Sequence, residues 1–194
     1  STYFLRDETR KNKVDWEHLG YTTGANLIKA IANKKFRTDI GTAYAAPFAF
    51  ADKAAPRTPA GDPCAKVAFA FSSGYRCDFR FNAEDGLYYH YFNEKARVQD
   101  GGQQVTVTNV LILYTGIKSM NDSAGCIDMD LTGGSGLLVT NGASETITWK
   151  KGSPTDGLKL FTADGSDLVL NAGKSYIGFV PLSQKGMTKI TSAS

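Results

Sequence analysis

Four tight turns divide the stretch from Leu131 to Pro181 into short apolar segments. The turns are centred on Asn141-Gly142, Lys151-Gly152, Asp164-Gly165 and Ala172-Gly173. Pairs of this kind adopt the positive φ angles that tight hairpins require. Because the segments between the turns are rich in Leu, Ile, Val and aromatic residues, the stretch predicts a series of hairpins that supplies a sheet core.

Strands with alternating apolar residues continue upstream of these turns. Residues 66–72 and 75–81 place apolar and polar side chains on opposite faces, which predicts half-buried strands. The long segment 103–117 has Val, Leu and Ile on both faces near its end, which predicts a central strand covered on both sides. Ile127, Met129 and Leu131 are expected to point inward from a following strand.

A single helix is predicted near the N-terminus. Thr23 supplies an N-cap ahead of residues 24–35, whose apolar residues recur at helical spacing. Residues 41–63 contain four prolines among Ala and Gly, which predicts a connector that docks through Phe48 and Phe50.

The predicted fold class is therefore α+β: a mostly antiparallel β-sheet of hairpins with an N-terminal helix packed on it. The main boundary is placed near residue 62. Residues 183–194 are polar and are expected to form a frayed tail.

Composition restricts the classes of partner. The net charge is +3 and the pI is near 8.7, with Lys and Arg scattered among Asp and Glu. This pattern does not support a nucleic-acid footprint, and no apolar run reaches the length of a membrane helix. With three cysteines, two histidines and no C-x-x-C motif, a structural zinc site is not expected.

The cysteines leave two alternatives open. Alternation places Cys77 on a core face and Cys126 on a solvent face, so a bridge between them is not favoured. The sequence is consistent with one disulfide and one free thiol among Cys64, Cys77 and Cys126. It is also consistent with three unpaired thiols.

The polar N-terminal segment contains the first candidate site. Arg6, Asp7, Arg10 and His18 combine two guanidinium groups, a carboxylate and an imidazole. Arginines clamp anions and histidine transfers protons near neutral pH, so the set predicts an anion site in which His18 acts as acid or base. In the alternative interpretation, Arg6 and Asp7 form a structural ion pair and His18 is a hydrogen-bonded anchor.

A second candidate follows an alternating strand. Trp149 could stack on a sugar while Lys150 and Lys151 contact an anionic polymer such as teichoic acid. In the alternative, Trp149 belongs to the core and the lysines only end the strand.

Two further strands carry weaker candidates. Asp128 and Asp130 share one face of a strand, where two carboxylates could hold calcium, but solvated acids give the same pattern and no metal site is predicted. The aromatic run 88–92 could stack on carbohydrate with one face, or it could form a central strand that is covered on both faces.

The order of these segments resembles YerB-like bacterial lipoproteins. The resemblance is carried by FSSGYRCDFRFNAEDGLYYHYFNEKARVQDGGQQVTVTNVLILYT, IDMDLTGGSGLLVTNG and ITWKKGSPTDGLKLFTADGSDLVLNAGKSYIGFVP, and upstream by FLRDETRK and WEHLGYTT. It implies that residues 1–62 are the remainder of the family's N-terminal domain and that residues 63–194 are its β-rich C-terminal domain. It also implies an extracellular protein, lipid-anchored at the outer face of the cytoplasmic membrane by an anchor outside this chain.

The resemblance brings no established activity, so function rests on the residues. They favour a non-enzymatic extracytoplasmic module that binds an envelope component or a protein partner without a cofactor. The alternative is a hydrolase or transferase that acts on cell-wall polymers through Arg6, Asp7, Arg10 and His18. The sequence contains neither G-x-S-x-G nor Ser-x-x-Lys, so enzymatic activity is the less favoured interpretation.

Overall fold

The computed structural model describes residues 2–41, 46–153 and 155–192. The chain divides into two compact units, Ser1–Ala45 and Ala46–Ser194. Residues 42–45 of the predicted connector and residues 193–194 of the predicted tail lie outside the described residues. In the part of the chain that the structure describes, no helix is both long enough and apolar enough to span a membrane.

The first unit contains one α-helix and a two-stranded antiparallel sheet. Its elements are β1 (Leu5–Arg6), the 3-10 helices η1 (Glu8–Arg10) and η2 (Trp16–Leu19), β2 (Gly20–Tyr21) and α1 (Gly24–Lys34). The predicted helix is confirmed with its cap, because the Asn26 amide donates to the Thr23 hydroxyl at 3.2 Å. The helix ends where Lys35 adopts a left-handed φ of 53°.

The second unit is built from strands. They are β3 (Ala49–Phe50), β4 (Lys66–Ser72), β5 (Tyr75–Asn82), β6 (Leu87–Phe92), β7 (Lys95–Ala96), β8 (Thr106–Val107), β9 (Asn109–Thr115), β10 (Ile117–Ser119), β11 (Ile127–Met129), β12 (Gly134–Thr140), β13 (Ala143–Lys150), β14 (Lys159–Thr162), β15 (Val169–Leu170), β16 (Ser175–Pro181) and β17 (Lys189–Thr191). One 3-10 helix, η3 (Leu182–Met187), precedes β17.

Two sheets dominate this unit. The first has the order β17-β4-β5-β6-β7, with β8 also paired to β6, and all of its pairs are antiparallel. The second has the order β14-β13-β12-β9-β16, and only the pair β16–β9 is parallel. The mostly antiparallel strands and the short N-terminal helix confirm the predicted α+β class.

The predicted hairpin at Asn141-Gly142 is confirmed in detail. Asn141 has a φ of 47° and Gly142 a φ of 75°, and the two residues join β12 directly to β13. Two consecutive positive φ angles are typical of a type I′ turn, whose twist matches that of the flanking strands.

The core of the second unit lies on both faces of β9. On one face, Val110 and Ile112 pack among apolar residues of the β4–β5–β6 sheet, such as Phe79. On the other face, Leu111 and Leu113 pack in a separate cluster with residues of β12, β13 and β14. All seven residues of β9 are buried, as predicted for a central strand.

The segment predicted as one long strand over residues 103–117 consists of three strands. Its first part, β8, pairs in the six-stranded sheet, whereas β9 pairs in the five-stranded sheet. The chain crosses between the sheets at Thr108, where the amides of Thr108 and Asn109 both donate to the Lys174 carbonyl at 2.8 and 3.1 Å. After Gly116 it leaves the second sheet to pair as the β10–β11 ribbon.

Residues 46–62 are an integral part of the second unit. β3 pairs with β15 in parallel, and Phe48 packs against the second core cluster as predicted, whereas Phe50 is exposed. Asn171 holds the following segment by hydrogen bonds to the backbone amide and carbonyl of Arg57, each at 2.8 Å. The Arg57 guanidinium forms an ion pair with Glu145.

Two expectations from the sequence, one about the C-terminal segment and one about the strand that contains Ile127, differ from the structure. Lys189–Thr191 is not a frayed tail, because it pairs with β4 as the edge strand of the six-stranded sheet. Ile127 is 57% exposed and Met129 is 37% exposed, instead of pointing inward, and both belong to the two-stranded β10–β11 ribbon. Leu131, the third residue of that expectation, does pack against the second core cluster.

Candidate functional site

The outer face of the six-stranded sheet forms a groove of about 620 Å³. Its floor follows from the alternation along β4, where Val67 and Phe69 enter the core and Ala68 and Ala70 face the opposite way. The register places Ala68 between Lys189 of β17 and Asp78 of β5. The methyl side chains of the alanines leave room that the longer side chains around them enclose.

Charged residues surround this alanine floor. They are Lys66, Arg76, Asp78, Glu94 and Lys189, and we call the space between them the cationic groove. Arg80 lies on the same face, opposite Lys66 in the strand register. Four cations on this face therefore meet two carboxylates.

Asp78 is the one buried charge of the groove. Arg80 Nε–H donates to the Asp78 Oδ2 at 2.8 Å, and the Lys66 ammonium lies 3.5 Å from the same oxygen. The hydrogen bond to Asp78 raises the pKa of the Arg80 guanidinium. Because Asp78 is committed to these two partners, it fixes the position of both cations along the groove.

Arg76 and Lys189 are different, since neither side chain forms a hydrogen bond or ion pair with the described residues. Both are exposed and line the groove. The backbone of Arg76 is held by Asn93, whose side-chain oxygen accepts from the Arg76 amide at 3.0 Å. The structure thus presents two cations without an ion pair to the described residues, on the strands β5 and β17 that flank β4.

A second depression of about 440 Å³ continues the same face across β5 and β6. It is lined by Arg80, Tyr89 and Tyr91, and the Arg80 guanidinium lies 3.8 Å from the centre of the Tyr91 ring. The run 88–92 therefore has one covered face, with Tyr88 and His90 buried, and one partly open face. The interpretation in which both faces are covered is wrong, because Tyr89 and Tyr91 are only partly buried by the described residues and line an open depression.

The N-terminal candidates have local structural partners. Arg6 Nη1–H donates to the Trp16 carbonyl at 2.6 Å, and its guanidinium lies 3.9 Å from the centre of the Trp16 ring. Asp7 caps η1, and its hydrogen bond from the Thr9 hydroxyl lowers the pKa of the carboxyl group. Arg10 is the last residue of η1.

His18 is the N-terminal candidate with a possible metal-ligand geometry. The ligand atoms of Asp15, Glu17 and His18 all lie within 4.8 Å of one another, and the three side chains are exposed. An exposed cluster of this type is common in proteins without a bound ion. Catalytic or anion-binding use of Arg6, Asp7, Arg10 and His18 stays a prediction.

Trp149 is a core residue. It is 2% exposed, its indole N–H donates to the Ser135 carbonyl at 3.2 Å, and its ring packs edge-on against Phe179. Its ring faces are therefore unavailable to a sugar, in agreement with the alternative interpretation. Lys150 is exposed beside it, with its ammonium 5.2 Å from the centre of the Phe161 ring.

The remaining sequence candidates have ordinary environments. Asp130 accepts from the Thr132 hydroxyl at 2.7 Å, which lowers the pKa of the carboxyl group, and Asp128 lies opposite Lys118 on the ribbon. All three thiols are unpaired. Burial raises the pKa of Cys64 to about 11, so this thiol is poorly suited to act as a nucleophile.

The residues of the cationic groove were not among the sequence candidates. Their signal was present in part, because Arg76, Asp78 and Arg80 alternate along one face of β5. The third strand of the groove, which carries Lys189, comes from the segment interpreted as a tail. The groove exists only once that segment pairs with β4.

Comparisons with known proteins give one family and one similar structure. The family model described as the C-terminal domain of a protein of unknown function (DUF3048) matches residues 67–177. The crystal structure of the YerB protein from Bacillus subtilis is similar with a TM-score of 0.72 at 19% sequence identity. The match covers 98% of this chain and 60% of that one. A search of curated proteins gives no match.

Proposed function

This chain belongs to the DUF3048 family of bacterial proteins of unknown function, and we propose that it is a non-enzymatic binding module for an anionic ligand. The ligand lies in the cationic groove. The observation that carries the proposal is the pair Arg76 and Lys189, two cations that face one concave surface and make no side-chain hydrogen bond or ion pair with the residues that the structure describes.

The arrangement of the groove supports binding. Ion pairs of exposed residues contribute little to stability, so the four cations on this face are not explained by folding alone. Asp78 holds the charged groups of Lys66 and Arg80 in place, and pairing with β4 fixes the backbone of Arg76 and Lys189. The two cations that Asp78 positions before the ligand arrives bind it at a lower entropic cost.

The chemistry of the groove favours binding over catalysis. Its one buried carboxylate is engaged by two cations, and its described lining includes no histidine. Burial raises the pKa of the adjacent Cys77 thiol, which disfavours the thiolate that nucleophilic attack requires. The groove thus lacks an assembled acid, base or nucleophile among the described residues.

We also propose a location at the bacterial cell envelope, with attachment through a lipid anchor outside this chain. The resemblance to YerB-like lipoproteins supports this proposal. A module that faces the envelope meets anionic polymers and anionic surfaces, which the charge of the groove complements.

The test is a titration with inorganic tripolyphosphate, a small anion, at low ionic strength. We expect amide chemical shifts in β4, β5 and β17 to change, and affinity by calorimetry to fall about tenfold in Lys189→Glu and in Arg76→Glu. Lys174→Glu is the matched control, because Lys174 is exposed and does not line the groove. Equal losses in Lys189→Glu and Lys174→Glu would overturn the proposal.

A further inference from the structure

The cationic groove runs along one strand of the sheet. It follows β4, whose seven residues span about 20 Å at ~3.3 Å per residue. An elongated ligand that lies along β4 therefore contacts more of the charged lining than a compact ligand does.

The cations of the groove repeat along its length. The strand register places Lys66 at one level, Lys189 beside Ala68 at the next, and Arg76 beside Ala70 at the third. Successive levels are two residues apart, which corresponds to about 7 Å along a strand. A ligand that satisfies all three levels therefore carries an anion about every 7 Å.

The groove offers mainly cationic hydrogen-bond donors. The backbone groups of β4 and β5 are used in the sheet, and the Asp78 carboxylate is occupied by Lys66 and Arg80. The other carboxylate of the described lining is that of Glu94. A peptide laid on this face would find few acceptors for its own N–H groups, because the backbone acceptors of the sheet are already used. Peptides that bind sheets pair with a free edge strand instead. Phosphodiester oxygens are acceptors only, and they match guanidinium and ammonium donors.

From these constraints we propose that the ligand is an unbranched chain of phosphodiesters joined by short polyol units. The inference rests on the proposed function and specifies its ligand. Each bound phosphate lies near one cation level, so about three repeats fill the groove. The described lining of the groove itself includes no exposed aromatic ring, whereas Tyr89 and Tyr91 line the adjoining depression. A single-stranded nucleic acid, whose bases stack on such rings, is therefore one of the competitors in the test.

The experiment measures affinity against chain length with synthetic glycerol phosphate oligomers of one to six repeats. We expect affinity to rise at least about fivefold from one repeat to three, and then to level off, because a longer chain finds no further cation in the groove. In Arg76→Gln the affinity should stop rising at two repeats, because one cation level is lost. In the control Lys174→Gln it should still rise up to three repeats.

Two competing polymers complete the test. Poly-L-glutamate and oligodeoxythymidylate of matched charge should bind at least about fivefold more weakly than the three-repeat oligomer. Equal or tighter binding of either polymer, or an affinity that does not depend on chain length, would overturn the inference. If either adverse result appears but tripolyphosphate still binds in the groove, only the inference about the ligand fails and the proposed function stands. If tripolyphosphate also fails to bind there, both proposals fail.

Discussion

Replacing Asn171 should reveal how firmly residues 46–62 are tied to the β-rich unit. The side chain of Asn171 is buried and makes three hydrogen bonds: it accepts from the Arg57 amide at 2.8 Å, and donates to the Arg57 carbonyl at 2.8 Å and to the Thr140 hydroxyl at 2.9 Å. Asn171→Ala removes all three and leaves the part-buried amide and carbonyl of Arg57 without these partners, whereas the Thr140 hydroxyl still donates to the Thr108 carbonyl. At about 1 kcal/mol for each bond, and with the cost of the unpaired groups, we expect a loss of about 3–4 kcal/mol.

Urea denaturation followed by circular dichroism measures this loss. The matched control is Asn82→Ala, because the Asn82 side chain, at the end of β5, has only local partners: the Glu84 amide, from which it accepts at 3.0 Å, and the exposed Tyr89 hydroxyl. The control should lose less than about 1 kcal/mol. If Asn171→Ala and Asn82→Ala lose the same free energy of unfolding, then the Arg57 segment is not held by the sheet in the way described.

Three further predictions concern titration, charge and thiol exposure. Burial lowers the pKa of His90, whose Nε2 has no hydrogen-bond partner among the described residues, and Asp78 and Arg97 are the charged groups that act on it. The unfolded state therefore binds the proton of His90 more tightly than the folded state does. In urea titrations, the free energy of unfolding should fall as pH drops below about 6.5, by up to ~1.4 kcal/mol per pH unit. A His90→Phe variant with the same pH dependence of the free energy of unfolding would contradict this. Asp78→Asn should lower the free energy of unfolding by about 1 kcal/mol and still tighten tripolyphosphate binding about fivefold by calorimetry, because removing a negative charge beside the anion outweighs the loss of the contact that positions Lys66 and Arg80; weaker binding would be the adverse result. A colorimetric thiol reagent should modify Cys126 alone in the native protein and all three cysteines in urea, because the other two are buried; rapid native modification of a second thiol would count against the fold.

Sequence patterns predicted those features that depend on neighbouring residues. The cap at Thr23, the hairpin at Asn141-Gly142 and the alternation along β4 and β5 are local, and the structure confirms them. The doubly covered strand β9 was also predictable, since only apolar residues on both faces produce two core layers. The order of the hairpins carried the resemblance to YerB-like proteins, which the family match confirms.

Features that depend on distant pairing were not predictable in the same way. Lys189–Thr191 is polar and short, and its strand conformation comes from pairing with β4, more than a hundred residues earlier in the chain. The break at Thr108 arises because the two halves of one apolar segment pair in different sheets. The cationic groove needs both ends of the second unit, so alternation within single strands could not show it.

The late pairing of β9 and β4 has a consequence for how the protein is made. β9 gains its parallel partner only from residues 175–181, and β4 gains its edge partner only from residues 189–191. During synthesis from the N-terminus, both strands emerge well before these partners and present open hydrogen-bonding edges to other chains. A ribosome that stops short of residue 175 therefore releases a polypeptide whose most apolar strand has one unpaired side.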